Sequence, residues 1–136
     1  MKTHLHVRVD FSPQCSLGPG KVSLLEAIER SGSLSAAARE LGMSYRRAWL
    51  LLHSLNDGFA EPAAELSVGG SDGGGARLTA LGKRLIAEYR AFVEAATELA
   101  EQRFTVPVAE SEEVAPASRP RAPRRAVNRS LRSKQA

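Results

Sequence analysis

Ser33-Leu34-Ser35-Ala36-Ala37-Ala38-Arg39-Glu40-Leu41-Gly42-Met43-Ser44-Tyr45-Arg46-Arg47-Ala48-Trp49 is the stretch that decides the fold. Leu34, Ala38 and Leu41 share one face of a helix spanning about 35–41. Ser33 or Ser35 can cap its free amides. Gly42 stops it, because glycine tolerates the left-handed conformation a helix exit needs. Ser44 caps the next helix, which runs to about Asn56. Ala48, Leu52 and Leu55 share its inner face, with Leu51 beside them and Trp49 next to that stripe. The small Ala38 lets the helices approach, and the apolar Met43 plugs their junction. Two helices joined by about three residues that include a glycine form a helix-turn-helix unit.

Upstream, Leu5, Val7, Val9 and Phe11 alternate with His4, His6, Arg8 and Asp10, the pattern of a half-buried strand over 4–11. Ser12 to Gly20 holds two prolines and two glycines and reads as a loop. A helix over roughly 20–31 follows, with Val22, Leu25 and Ile28 on one stripe. Downstream, Glu65 to Val68 and Ala76 to Thr79 read as two strands around the glycine-rich tip Gly69 to Gly75. A hairpin in that position is a wing. Thr79 then caps a last helix over about 80–103. Leu81, Leu85, Phe92, Ala96 and Leu99 keep helical spacing along it, and Ile86, Val93 and Ala100 form a second edge. At 1.5 Å per residue it is about 36 Å long, more than so small a core covers. The exposed apolar edge predicts a homodimer formed through this helix.

The chain has 136 residues, enough for one small core. Apolar residues make up 43% but aromatics only 5%, so that core is aliphatic and rich in alanine. From Pro107 the apolar periodicity stops, and residues 107–136 read as a disordered tail behind a domain over 1–106. Seven basic and no acidic residues lie from Arg119 onward, so the net charge of +4 resides in the tail. Residues 1–118 hold twelve basic and fifteen acidic residues, a net of −3, so nucleic-acid binding has to be argued from local clusters.

One such cluster opens the third helix. Ser44, Tyr45, Arg46 and Arg47 sit where free amides and the helix dipole favour phosphate, and arginine can also grip guanine at two points. The wing is another: Gly70, Gly73 and Gly74 let backbone amides come close to phosphate, Arg77 brings charge, and Asp72 opposes it. Arg119, Arg121, Arg124, Arg125, Arg129, Arg132 and Lys134 would add affinity that is independent of sequence.

Other chemistries find less support. Lys83 after Gly82 is followed by Arg84, and Gly75 lies seven residues before Gly82, so no phosphate-binding loop fits. No βαβ unit supports a dinucleotide site. His4 and His6 with the lone Cys15 read as outer-face polar groups rather than metal ligands. No paired catalytic groups, nucleophile elbow or zinc-hydrolase motif is found. The expectation is therefore a protein that is not an enzyme and needs no cofactor and no metal. There is no apolar run of membrane-spanning length and no apolar leader, and a single cysteine suits a reducing, cytoplasmic setting.

Three segments bear a family resemblance: Gly20 to Ile28, Gly32 to Ala38, and Met43-Ser44-Tyr45-Arg46-Arg47-Ala48-Trp49. With the multi-glycine wing through Thr79 and Leu81-Gly82, they resemble the N-terminal DNA-binding domain of the ModE family. These are molybdate-responsive bacterial regulators related to LysR-type winged helices. The resemblance covers roughly residues 4–103. It implies a mainly α winged helix-turn-helix with a small β component, an N-terminal strand and a long C-terminal dimerisation helix. It also implies a homodimer on double-stranded palindromic DNA, with Ser44 to Arg47 in the major groove and the wing glycines and Arg77 on the flanking backbone. Two departures stand out. The family's C-terminal molybdate-binding part has no counterpart here, which implies a stand-alone domain. Ser71-Asp72 replaces the lysine common in family wings. A sequence-specific transcription regulator is the leading expectation. Its alternatives are an interaction module that heterodimerises with a full-length regulator, and a low-specificity, nucleoid-type DNA binder.

Overall fold

Local signals set most of the helix boundaries. The computed structural model describes residues 3–68 and 74–110. Pro19, whose missing N–H is no loss in a first turn, opens α1 (Pro19–Ser31). Ser33 Oγ accepts the Ala36 N–H at 3.1 Å and starts α2 (Leu34–Glu40). Gly42 has φ 65°, the left-handed exit anticipated for it, and the Met43 N–H donates to the Ala38 carbonyl at 2.9 Å. Ser44 Oγ then accepts the Arg47 N–H at 3.1 Å, and α3 runs over Tyr45–Gly58. Thr79 Oγ1 accepts the Gly82 N–H at 3.1 Å at the head of α4 (Ala80–Arg103).

The core lies between α1, α2 and α3. Val22, Leu24, Leu25, Ile28, Leu52 and Leu55 are its largest fully buried side chains. Alanines at 27, 37, 38 and 48 are buried with them and let the helices pack closely. α1 is buried on more of its circumference than the stripe Val22, Leu25, Ile28 requires, because α2, α3 and α4 all pack on it.

The N-terminal strand is shorter than its alternation predicts. β1 (Val9–Ser12) pairs antiparallel with β2 (Cys15–Leu17), which lies inside the stretch expected to be a loop. The carbonyl of Val7 serves another partner: it accepts the Tyr89 hydroxyl at 2.7 Å. Leu5, Val7 and Val9 are half-buried as expected, but Phe11 is exposed. The register jumps between Asp10 and Ser12, leaving Phe11 the unpaired residue of a bulge. Its ring meets the edge of Phe59, with centroids 5.7 Å apart.

The second hairpin pairs β3 (Ala64–Leu66) with β4 (Ala76–Leu78). It is tied to the end of α3 by Asn56, whose Oδ1 accepts the Ala63 N–H at 2.8 Å and whose Nδ2 donates to the Ala64 carbonyl at 3.0 Å. It is tied to the start of α4 by close approach. A Cβ built on Gly82 would lie 2.1 Å from the Ala63 carbonyl oxygen.

α4 corrects the expected division of its apolar residues. Leu85 and Tyr89 are buried, and Ile86 and Val93 pack against the core. Phe92 and Leu99, expected on the main stripe, are half-exposed. Phe92 lies within about 20° of the buried Leu85 around the helix but about 10 Å further along it, on a side the core no longer covers. Arg90 donates from Nε and Nη2 to the two carboxylate oxygens of Glu26 in α1, and this partner holds its pKa above the ordinary arginine value. Burial of Tyr89 pushes its phenol up. No helix among the described residues is long and apolar enough to cross a membrane.

Candidate nucleic-acid interface

The inner face of α3 is fixed by Ala48, Leu52 and Leu55, all fully buried. The helix must therefore turn its opposite face to solvent. Ser44 secures one first-turn amide, that of Arg47. The remaining free amides of the first turn keep the positive end of the helix dipole available. No acidic residue lies in that turn.

Ser44, Tyr45, Arg46 and Arg47 are all exposed. Neither Arg46 nor Arg47 has an acidic partner among the described residues. Tyr45 and Arg46 line one open depression with Trp49 and Leu50. Ser44, Arg46 and Arg47 line an adjoining one with Leu50 and Leu51. Arg46 thus borders both depressions.

Trp49 and Leu50 were outside the sequence-predicted set. Their signal was present: two apolar residues interrupt the outer face of a helix whose apolar inner stripe is already complete.

The hairpin is a weaker site. Gly70 and Gly73 lie outside the described residues, as do the tail cations from Arg119 to Lys134. At Gly74, φ is 92° and an added Cβ would lie 2.4 Å from the Ser67 carbonyl oxygen, so this glycine closes the hairpin. The next amide, of Gly75, donates to Ser67 and is occupied by the ladder. Arg77 is exposed, but Glu65 stands opposite it across the ladder, Oε2 lying 3.8 Å from Nη2. A further depression beside these residues is lined by Gly32, Ser67 and Gly75.

His4 and His6 are exposed, their rings 5.3 Å apart, whereas Cys15 is buried. Among the described residues no group of three potential metal ligands is present.

Sequence comparison adds the missing context. The chain is 49% identical over 75 residues to the molybdenum-pterin-binding protein MopB of Rhodobacter capsulatus. It is 42% identical over 83 residues to the molybdenum transport protein ModE of Azotobacter vinelandii, and 42% over 89 residues to the DNA-binding transcriptional dual regulator ModE of Escherichia coli K12. Its N-terminal half is ModE-like. The matched segments make up 55%, 61% and 65% of this chain but only 28%, 31% and 34% of those relatives. The ModE-like region thus spans about a third of the proteins it matches. No protein-family profile matches the chain.

Proposed function

We propose that the chain is a sequence-specific DNA-binding transcription regulator in which α3 is the recognition helix. The observation that carries this is the start of α3. A serine-capped helix end presents two exposed arginines with no acidic partner among the described residues, on a domain that is otherwise slightly acidic. The relation to regulators named as DNA-binding supports it.

In this reading Ser44, Tyr45, Arg46 and Arg47 enter the major groove. Arg46 points most directly away from the core and reads guanine. Arg47, about 100° further around the helix, anchors a phosphate. The hairpin acts as a wing, with Arg77 and the glycines 70, 73 and 74 against the flanking backbone. The exposed Phe92 and Leu99 on α4 support a homodimer through that helix. A two-fold dimer places its recognition helices about one helical turn of DNA apart, or a multiple of it. The genes it controls serve molybdenum, the element in two relatives' names, or another oxyanion.

The test is fluorescence anisotropy on the DNA upstream of the chain's own gene, beside a scrambled duplex, at several salt concentrations. A specific regulator binds the native fragment about 10³-fold or more tightly. Exchange of Arg46 and Arg47 together for alanine removes that preference. A second reading, an interaction module that joins a longer relative as a heterodimer, is favoured by the same α4 residues. It predicts that the double variant still captures its partner and that the wild-type chain binds neither duplex.

A further inference from the structure

The outer face of α3 holds two apolar side chains that neither the core nor the arginine contacts use. Leu50 lies two residues, about 200°, around the helix from the buried Ala48, and it is 51% exposed. Trp49 beside it is 39% exposed. The indole is held in place: the His53 imidazole stacks on it, ring centroids 3.4 Å apart and planes at 21°. His53 Nδ1 lies 3.1 Å from the Trp49 carbonyl oxygen. A carbonyl only accepts, so the contact is a hydrogen bond in the tautomer that carries the proton on Nδ1. The stack turns Trp49 into a fixed wall beside Arg46, with Leu50 as the floor next to it.

An apolar shelf flanked by two arginines fits a surface that mixes acceptors with an isolated methyl group. An apolar protein groove would bury Arg46 without a partner, at high cost. The floor of the major groove suits both features. Guanine presents paired acceptors to arginine there, and thymine presents its 5-methyl group. From Arg46 to Leu50 is four residues, about 6 Å along the helix, which is less than two base-pair steps of 3.4 Å.

We infer that Leu50, against the Trp49 indole that His53 holds, takes a thymine methyl one or two base pairs from the guanine gripped by Arg46. Leu50 is then a specificity-determining residue and Trp49 and His53 position it, an assignment that rests on α3 being the recognition helix.

Duplexes selected from a random pool by the full chain provide the test, with anisotropy at fixed salt comparing a selected duplex and its scrambled form. Each thymine is then replaced singly by deoxyuridine, which removes only the methyl. One position per half-site loses about fourfold in affinity, the worth of one buried methyl group. Leu50→Ala, checked for native helicity by circular dichroism, binds the thymine and uracil duplexes equally at that position. It still loses affinity when the neighbouring guanine is exchanged for 7-deazaguanine. Should selected duplexes bind specifically while no uracil matters, or should Leu50→Ala keep the uracil penalty, the thymine contact is overturned and the recognition helix stands. Should selected and scrambled duplexes bind alike, both are overturned.

Discussion

The helix-turn-helix and the hairpin behind it are held by opposite means. Between α2 and α3 every fixing contact is local: Ser33 to Ala36, Ala38 to Met43, Ser44 to Arg47. The glycine of that turn is there for its backbone, since a Cβ on Gly42 would meet nothing within 4 Å. The hairpin is held from a distance, by Asn56 of α3 and by the bare backbone of Gly82 in α4. There the glycine is required for the space it leaves. One region is written in neighbouring residues, and the other depends on partners that come together only when the chain has folded.

Gly82→Ala puts the contrast to its sharpest test. Alanine is the better helix former by about 1 kcal/mol, so local propensity predicts a gain. The added Cβ would lie 2.1 Å from the Ala63 oxygen, a backbone atom that cannot swing aside. Overpacking of this kind costs about 3 kcal/mol or more, a large share of the stability of so small a domain. The urea midpoint should fall steeply. A rise would mean that α4 and the hairpin are not locked together in this way.

Asn56→Ala comes next. It leaves the buried Ala63 N–H and Ala64 carbonyl without their side-chain partner. The expected loss is about 2 kcal/mol. Hydrogen exchange locates it: amides of 63–66 and 76–78 should lose protection before those of α2 and α3. Uniform loss across all elements would show that the hairpin is not a separately tethered unit.

The same division decides what could be read in advance. The caps Ser44 and Thr79, the exit at Gly42 and the buried stripe Ala48, Leu52, Leu55 are each signalled within a few residues and stand as expected, and of the two serines open as the α2 cap, Ser33 takes the position. β2 was hidden because Cys15 and Leu17 sit among prolines and glycines. Tyr89 was hidden because its partner, the Val7 carbonyl, is 82 residues away. Ile86 and Val93 pack against the core and Phe92 and Leu99 do not, a division that depends on which elements meet α4 and so could not be seen in the helix alone. At the candidate site Ser44 to Arg47 were legible from the helix start. Trp49 is less legible, because an apolar residue next to an apolar stripe reads as core, and Leu50 shows only when its angle, opposite that stripe, is measured.

Gly42→Ala is the smallest and most diagnostic change. No atom stands in the way of the new methyl, so packing predicts no cost. The backbone at φ 65° predicts about 1 kcal/mol, since left-handed geometry brings the Cβ against the carbonyl that follows. Gly42→Asn should lose less than alanine, because its short amide tolerates that conformation and bonds locally. Thermal melting of the three proteins should rank them glycine, asparagine, alanine. Equal loss for both variants would mean that the turn is crowded in solution, and the two glycines, at 42 and at 82, would then be needed for the same reason rather than for opposite ones.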